Sequence, residues 1–264
     1  MKIALCFSGH PRTFEDCFPN IKSNIIDKYD CDIFISTYRT TSEIEKKMIE
    51  LYNPKKIFFN NEEDILDLVE KNNNKNVKFL KNGFITYPKL DDSCYNRLLS
   101  IDEIFLYDKI NCNDFTLDHK IHKAALCQYY GIYHVSNLCL DYINENQIKY
   151  DYIMRLRLDD KVSGDFHIKE LDEDQVVVHI IDNYSDSLKV HDHFFLAKQD
   201  TYFKISDLYN NLTNIIDFIN TNKCWLPACG YQETLLLIQI FLHKIRILSS
   251  ENEYLILKYT NWNI

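Results

Sequence analysis

The sequence predicts an α/β fold, a mostly parallel central sheet flanked by helices in a single domain. Three observations carry this expectation. The run from Ile3 to Phe7 is apolar at every position, as in a strand covered on both faces. Two further short strands, at residues 31–37 and 55–59, alternate with helical stretches at 42–51 and 62–71, the spacing of right-handed βαβ units. Finally, no linker, internal repeat or low-complexity tract divides the 264 residues.

The first strand stops at Ser8-Gly9-His10-Pro11-Arg12, where Gly and Pro break it. Thr13, with Asp16 three residues on, starts a helix that Pro19 either kinks or restarts. The acidic start of the 62–71 helix suits its positive dipole end. Residues 72–115 show no regular pattern and include two polar loops. A long helix at 118–144 places Ile121, Ala125, Gln128, Ile132, Val135, Cys139 and Tyr142 on one stripe. A strand at 151–158 follows, then strands at 175–181 and 194–197 and helices at 201–210 and 213–219. A loop at 224–230 ends in Gly230, and Tyr231-Gln232-Glu233 opens an apolar helix at 234–244.

Four places along this chain carry chemistry. In the 151–158 strand, alternation puts Tyr152, Met154, Leu156 and Leu158 on one face and Ile153, Arg155, Arg157 and Asp159 on the other. Buried charges need partners, so two readings stand: an internal ion-pair ladder, or Asp159 and Asp160 holding a divalent ion at the strand end. Gln128, on the buried stripe, either bonds neighbouring backbone or lines a nucleotide pocket with Tyr129. His191-Asp192-His193 is either a polar surface loop or a ligand set with both imidazoles facing one way. Glu233 either complements its helix dipole or acts as a general base or acceptor ligand.

Composition narrows the classes. A hydrophobic fraction of 46% and an aromatic fraction of 14% mark a globular chain. The net charge of −9 leaves no basic footprint for nucleic acid. Nine scattered cysteines without a Cys-x-x-Cys pair predict free thiols in a reducing compartment. No apolar run reaches transmembrane length and no signal peptide is visible, so a soluble intracellular protein is expected. Phosphate-cradling Gly-x-x-x-x-Gly-Lys and Gly-x-Gly-x-x-Gly loops are absent, as is a Gly-x-Ser-x-Gly elbow. Any nucleotide is then held by side chains and a metal.

Three segments line up with a known group. Residues 2–12, residues 31–38 and the Asp-Tyr-Ile-Met-Arg-Leu-Arg-Leu-Asp block at 151–159 with its Tyr150 lead resemble nucleotide-sugar-dependent glycosyltransferase-like proteins of bacteria and large DNA viruses. The later His-Asp-His-Phe-Phe-Leu-Ala and Gly-Tyr-Gln-Glu-Thr blocks fit the same order more loosely. The resemblance implies a GT-A fold, Rossmann-like, with the nucleotide-diphosphate sugar at the strand C-termini. Such proteins hold Mn²⁺ or Mg²⁺ with a D-x-D motif; this chain offers adjacent Asp159-Asp160 instead.

Carried over, Asp159 and Asp160 become metal or diphosphate-side groups, Ser8 and Arg12 donor-pocket residues, and Glu233 the catalytic base. Asp160 doubles as a catalytic group. Arg12, Arg155 and Arg157 help the leaving diphosphate, Gln128 lines the pocket, and His193 joins the metal ligands. Residues 1–165 become the donor part and 166–264 the acceptor part, for a glycan, lipid or protein acceptor. The cytoplasm is the expected location, the host's if the source is viral. Two alternatives stand beside this reading. One is a nucleotidyltransferase, for which residues 8–12 are poor in glycine; the other is a non-catalytic glycosyltransferase-like binding protein.

Overall fold

In the computed structural model, β1 (Lys2–Gly9) is buried along its interior, and its alternate side chains feed two separate cores. Ala4 and Cys6 pack with Tyr129, Ile132, Val135 and Cys139 of the long helix α3 (Lys123–Asn146). Ile3, Leu5 and Phe7 pack instead with Phe14, Cys17 and Ile21 of α1 (Phe14–Ile21) and with Met48 and Tyr52 of α2 (Ser42–Tyr52). The sheet is therefore covered on both faces, as its apolar strand sequences require. The structure describes residues 1–61, 64, 123–163, 166–180, 190–212, 214–215, 232–249 and 255–258.

The remaining strands are β2 (Asp30–Tyr38), β3 (Lys56–Asn60), β4 (Tyr152–Leu156), β5 (Asp160–Ser163), β6 (Gln175–Ile180), β7 (Val190–Ala197), β8 (Arg246–Ser249) and β9 (Leu255–Lys258). Seven of them form one sheet in the order β3-β2-β1-β4-β7-β6-β8, while β5 and β9 pair separately. The pairings β1–β2, β2–β3, β1–β4 and β6–β8 are parallel; only β7 runs against its two neighbours. This is the predicted mixed, mostly parallel sheet flanked by helices.

Connectivity positions the crevice. From β1 the chain steps outward through β2 to β3, then returns through α3 to β4 on the other side of β1. Strand order thus reverses between β1 and β4, and such a reversal opens a ligand crevice outside the carboxyl ends of the strands. Because β7 is antiparallel to β4, with Arg155 opposite Phe195, its first residues lie at that same end. The opposite end of the sheet is tied by Tyr150, whose hydroxyl donates to Asp32 at 2.7 Å, with Lys2 and Lys55 flanking the same carboxylate.

Several local outcomes differ from the sequence reading. Pro19 neither stops nor restarts α1; the helix runs through it into one π-helical turn, Lys22–Ile26, closed by Asp27 N–H donating to the Lys22 carbonyl. The β4 strand is shorter than 151–158, because Arg157, Leu158 and Asp159 leave it for a turn before β5. Strands β5, β8 and β9 lacked a legible pattern, being only four residues each. The expected helix at 62–71, the 72–115 segment and the 224–230 loop lie outside the described residues, as does most of 213–219. Helices α4 (Gln199–Ser206) and α5 (Gln232–Leu242) start two residues earlier than the sequence suggested. Cys6, Cys17, Cys31, Cys127 and Cys139 are free thiols. No described helix is long and apolar enough to cross a membrane.

At the crevice end of β2 and β3, Asn60 donates to Ser36 Oγ at 3.0 Å, and Ser36 Oγ lies 3.1 Å from His134 Nδ1 of α3. Burial pushes His134 below the ordinary imidazole range, with Asp141 opposing weakly. Its folded pKa is therefore lower than its unfolded one. As pH falls through about 6.5 the unfolded chain takes up a proton that the folded chain refuses, so stability drops. Denaturant unfolding at pH 8 and pH 5.5 should show the wild type losing more stability over this interval than His134→Asn. Equal losses would mean that His134 titrates freely.

Candidate functional site

The ends of β1, β4 and β7 meet beneath α3, and each contributes charge or hydrogen-bonding capacity. Ser8 and Gly9 close β1, Gly9 in the left-handed half of backbone space (φ 115°), where a Cβ would also stand 3.9 Å from the Arg157 side chain. Thr37 holds that turn by donating to the Gly9 carbonyl at 2.7 Å. Arg12, also at positive φ (25°), reaches back across the crevice to Asp159 at 3.2 Å.

Arg155 is the centre of this arrangement and is fully buried. Its Nη2 donates to Ser8 Oγ at 3.2 Å and its Nη1 to the His193 carbonyl, while Nε has no partner. Two residues on, Arg157 grips Asp159 through a fork, Nε to Oδ1 and Nη2 to Oδ2, each at 2.7 Å. Arg157 Nη1 also lies 3.1 Å from His193 Nε2. A guanidinium can only donate, so Nε2 accepts and the imidazole proton sits on Nδ1. From there it is donated to Asp160 Oδ1, 3.1 Å away. The other Asp160 oxygen, Oδ2, is buried without a partner.

On β7, Gln128 of α3 donates to Asp192 Oδ2. That leaves Asp192 Oδ1 facing two imidazoles, 3.7 Å from His193 Nε2 and 3.9 Å from His191 Nδ1. His191, Asp192 and His193 each offer one ligand atom within 4.8 Å of the others, a geometry that suits a metal ion.

The two adjacent carboxylates are driven apart. Burial pushes Asp160 up to about 6; Arg157 and Arg155 pull against that and the Asp159 charge adds to it. Burial also pushes Asp159 upward, but the Arg157 fork and charge, helped by Arg12 and His193, hold it below the ordinary carboxylate range. Burial pulls both guanidiniums down. In Arg155 it prevails, whereas the Asp159 contact holds Arg157 above its usual value. A pair of carboxyl groups separated in this way is a recurrent arrangement in acid–base chemistry.

The expected site residues fall into three groups. Ser8, Arg12, Gln128, Arg155, Arg157, Asp159, Asp160 and His193 form one connected set. Glu233 is the second residue of α5, and its side chain lies outside the described residues. Tyr129, a residue of α3, is packed in the core. Two expectations need correcting. Gln128 bonds a carboxylate and not neighbouring backbone, and His191-Asp192-His193 belongs to β7 and not to a polar surface loop, with Asp192 only 1% exposed. Sequence reasoning raised His191-Asp192-His193 as a ligand set but kept only His193 among the site residues; continuing the alternation of the apolar 194–197 run backwards would have placed Asp192 in a strand.

No family model matches the chain, and no curated protein matches it. Among solved structures it is similar to mouse xyloside xylosyltransferase 1 in its apo form, at 11% identity and a TM-score of 0.41, over 94% of this chain and 83% of that one.

Arg155 compensates buried Asp160 and Asp192, so its loss should be severe. Arg155→Met is expected to lower the unfolding free energy by about 3–5 kcal/mol, because it strands buried anions. Urea denaturation measures this, and a change below about 1 kcal/mol would show that those carboxylates have other compensation.

Proposed function

We propose that the chain is a GT-A-type glycosyltransferase that moves a sugar from a nucleotide-diphosphate donor to a glycan, lipid or protein acceptor. The observation that carries this reading is the split between Asp159 and Asp160 at the strand-order reversal, in a crevice ringed by Arg12, Arg155 and Arg157. Glycosyl transfer needs such a place. The acceptor hydroxyl oxygen bonds to the anomeric carbon, the bond from that carbon to the diphosphate oxygen breaks, and the hydroxyl proton goes to a base. Negative charge then collects on the departing diphosphate.

Arg12 sits at the rim with its side chain 36% exposed, and in this reading it turns from Asp159 toward phosphate. Ser8 and Gln128 set the inner wall. Glu233 is the base in this reading, with Asp160, poised near neutrality, as a second proton-accepting group beside the reacting bond. A divalent ion held by the crevice carboxylates and His193 would neutralise the leaving diphosphate; the unpartnered Asp160 oxygen and the clustered imidazoles fit such an ion. Mn²⁺ or Mg²⁺ is the expected cofactor; Ser8, Arg12, Gln128, Arg155, Arg157, Asp159 and Asp160 lie in the part of the chain assigned to the donor, and His193 and Glu233 in the part assigned to the acceptor.

One observation favours a second reading. Asp159 is fully engaged by two guanidiniums, as in a locked structural ion pair, and a non-catalytic nucleotide-sugar binder would show the same contacts. Turnover separates the two.

Thermal melting with UDP- and GDP-sugars, with and without Mn²⁺, tests the proposal. A donor at one hundred times its Kd should stabilise the fold by about 2.7 kcal/mol. Arg12→Ala should weaken that donor roughly ten- to hundredfold, the loss of one charge-assisted contact. Absence of any response to every nucleotide sugar would overturn the proposal. Binding without sugar release would favour the non-catalytic form.

A further inference from the structure

We infer that strand β9 is a positioning element of the crevice: by pairing with β5 it fixes where Asp160 stands, while the seven-stranded sheet folds without it. The proposed glycosyl transfer enters only through the effect on turnover. Asp160 is the first residue of β5, and β5 lies outside the main sheet, paired antiparallel with β9. The register sets Asp160 against Lys258, Lys161 against Leu257, Val162 against Ile256 and Ser163 against Leu255. Among the described residues β9 pairs with no other strand, and the main sheet runs from β3 to β8 without it.

Two grips hold β5. On one edge the side-chain amide of Asn20, in α1, behaves as a strand backbone. Its Nδ2 donates to the Val162 carbonyl at 3.0 Å, and its Oδ1 accepts from the Val162 N–H at 2.7 Å. Successive strand residues turn their backbone groups to opposite edges. With Val162 facing Asn20, Lys161 and Ser163 therefore turn theirs toward Leu257 and Leu255 of β9. Asn20 pins one residue; β9 keeps its two neighbours extended.

The other contacts of Asp160 are sparser. Upstream, its N–H reaches the Arg157 carbonyl at 3.4 Å, a long bond across the turn from β4. Its Oδ1 accepts from His193 Nδ1 at 3.1 Å, and Oδ2 has no hydrogen-bond partner. Yet the residue is only 1% exposed. A carboxylate so buried and so lightly bonded turns to water once its backbone frays. A four-residue ladder is marginal by itself, so losing β9 should be felt at β5 and not in the two cores.

The test is Leu257→Pro in the full chain, which deletes a β9 N–H that faces Lys161, beside Leu257→Thr, which keeps it. The first readout is the His193 Nδ1 proton bonded to Asp160, an exchange-protected downfield imidazole resonance assigned by its loss in His193→Gln. It should appear in the unmutated chain and in Leu257→Thr and vanish in Leu257→Pro. Amide protection at Lys161 and Ser163 should fall roughly tenfold or more in the proline variant. A UDP- or GDP-sugar turned over by the unmutated chain should lose roughly tenfold or more in kcat at nearly unchanged KM. A chain ending at Ser250 guards against a misfolded variant: it should melt cooperatively within about 4 °C of the full chain and lack the same resonance. A resonance missing from the unmutated chain or surviving in Leu257→Pro, unchanged amide protection, undiminished kcat, or loss of cooperative melting on truncation would each overturn the assignment. Nucleotide-sugar melting shifts of the unmutated chain report on the glycosyltransferase reading separately, because the resonance and the amide exchange need no donor.

Discussion

A guanidinium with no access to water dictates the architecture of the crevice. Arg155 cannot be buried in an apolar sheet unless anions and carbonyls come to it. Its position on β4 therefore selects what stands around it. Ser8, next to the end of β1, offers a hydroxyl, β7 enters with its His193 carbonyl turned inward, and Asp160 and Asp192 supply charge. Arg157 repeats the demand one step further out and is met by Asp159. The polar residues of three strand ends form one mutually dependent set, whose net charge is balanced only when all are present.

That dependence reaches into the helical layer. The same face of α3 that buries Ile132, Val135 and Cys139 against β1 and β2 also delivers Gln128 to Asp192 and brings Gly131 to the back of Ser8. The added Cβ at Gly131 would stand 3.7 Å from that of Ser8, so helix and strand approach closely here. Core packing along α3 thus sets where the amide of Gln128 falls. A substitution that slides the helix by one residue would carry that amide about 1.5 Å along its axis, beyond reach of the carboxylate it now meets.

How much of this the sequence disclosed follows from the reach of local pattern. The apolar runs of β1 and β2 and the periodic stripe of α3 declare themselves, because burial on both faces or along one stripe leaves a residue signature. So does the awkwardness of Arg155 and Arg157 within an apolar run, a pattern that points to the crevice. Partner choice left no such trace. Asp159 and Asp160 are neighbours of one residue type, yet one is clasped by two guanidiniums and the other meets an imidazole, a difference created by the turn at 157–159. The placement of Asp192 was undecided for a related reason: a His-Asp-His triplet reads equally as polar loop or ligand set until the antiparallel register carries it under α3. The four-residue strands β5, β8 and β9 are too short to assert a period at all.

The pairing of β1 with β4 also governs the order in which the molecule can assemble. Ser8 meets Arg155, and Arg12 meets Asp159, across 147 residues of chain. Contacts so distant in sequence pay their loop-closure entropy before they return any stabilisation, and they slow folding accordingly. While the chain is being synthesised, β1, α1, β2, α2 and β3 can associate early through local βαβ contacts, with one edge of β1 left open. The crevice closes only when β4 docks on that edge and brings its two arginines with it. Until then the nascent sheet presents the unpaired backbone of its most apolar strand, so the long interval before β4 is a window of exposure in the life of the chain.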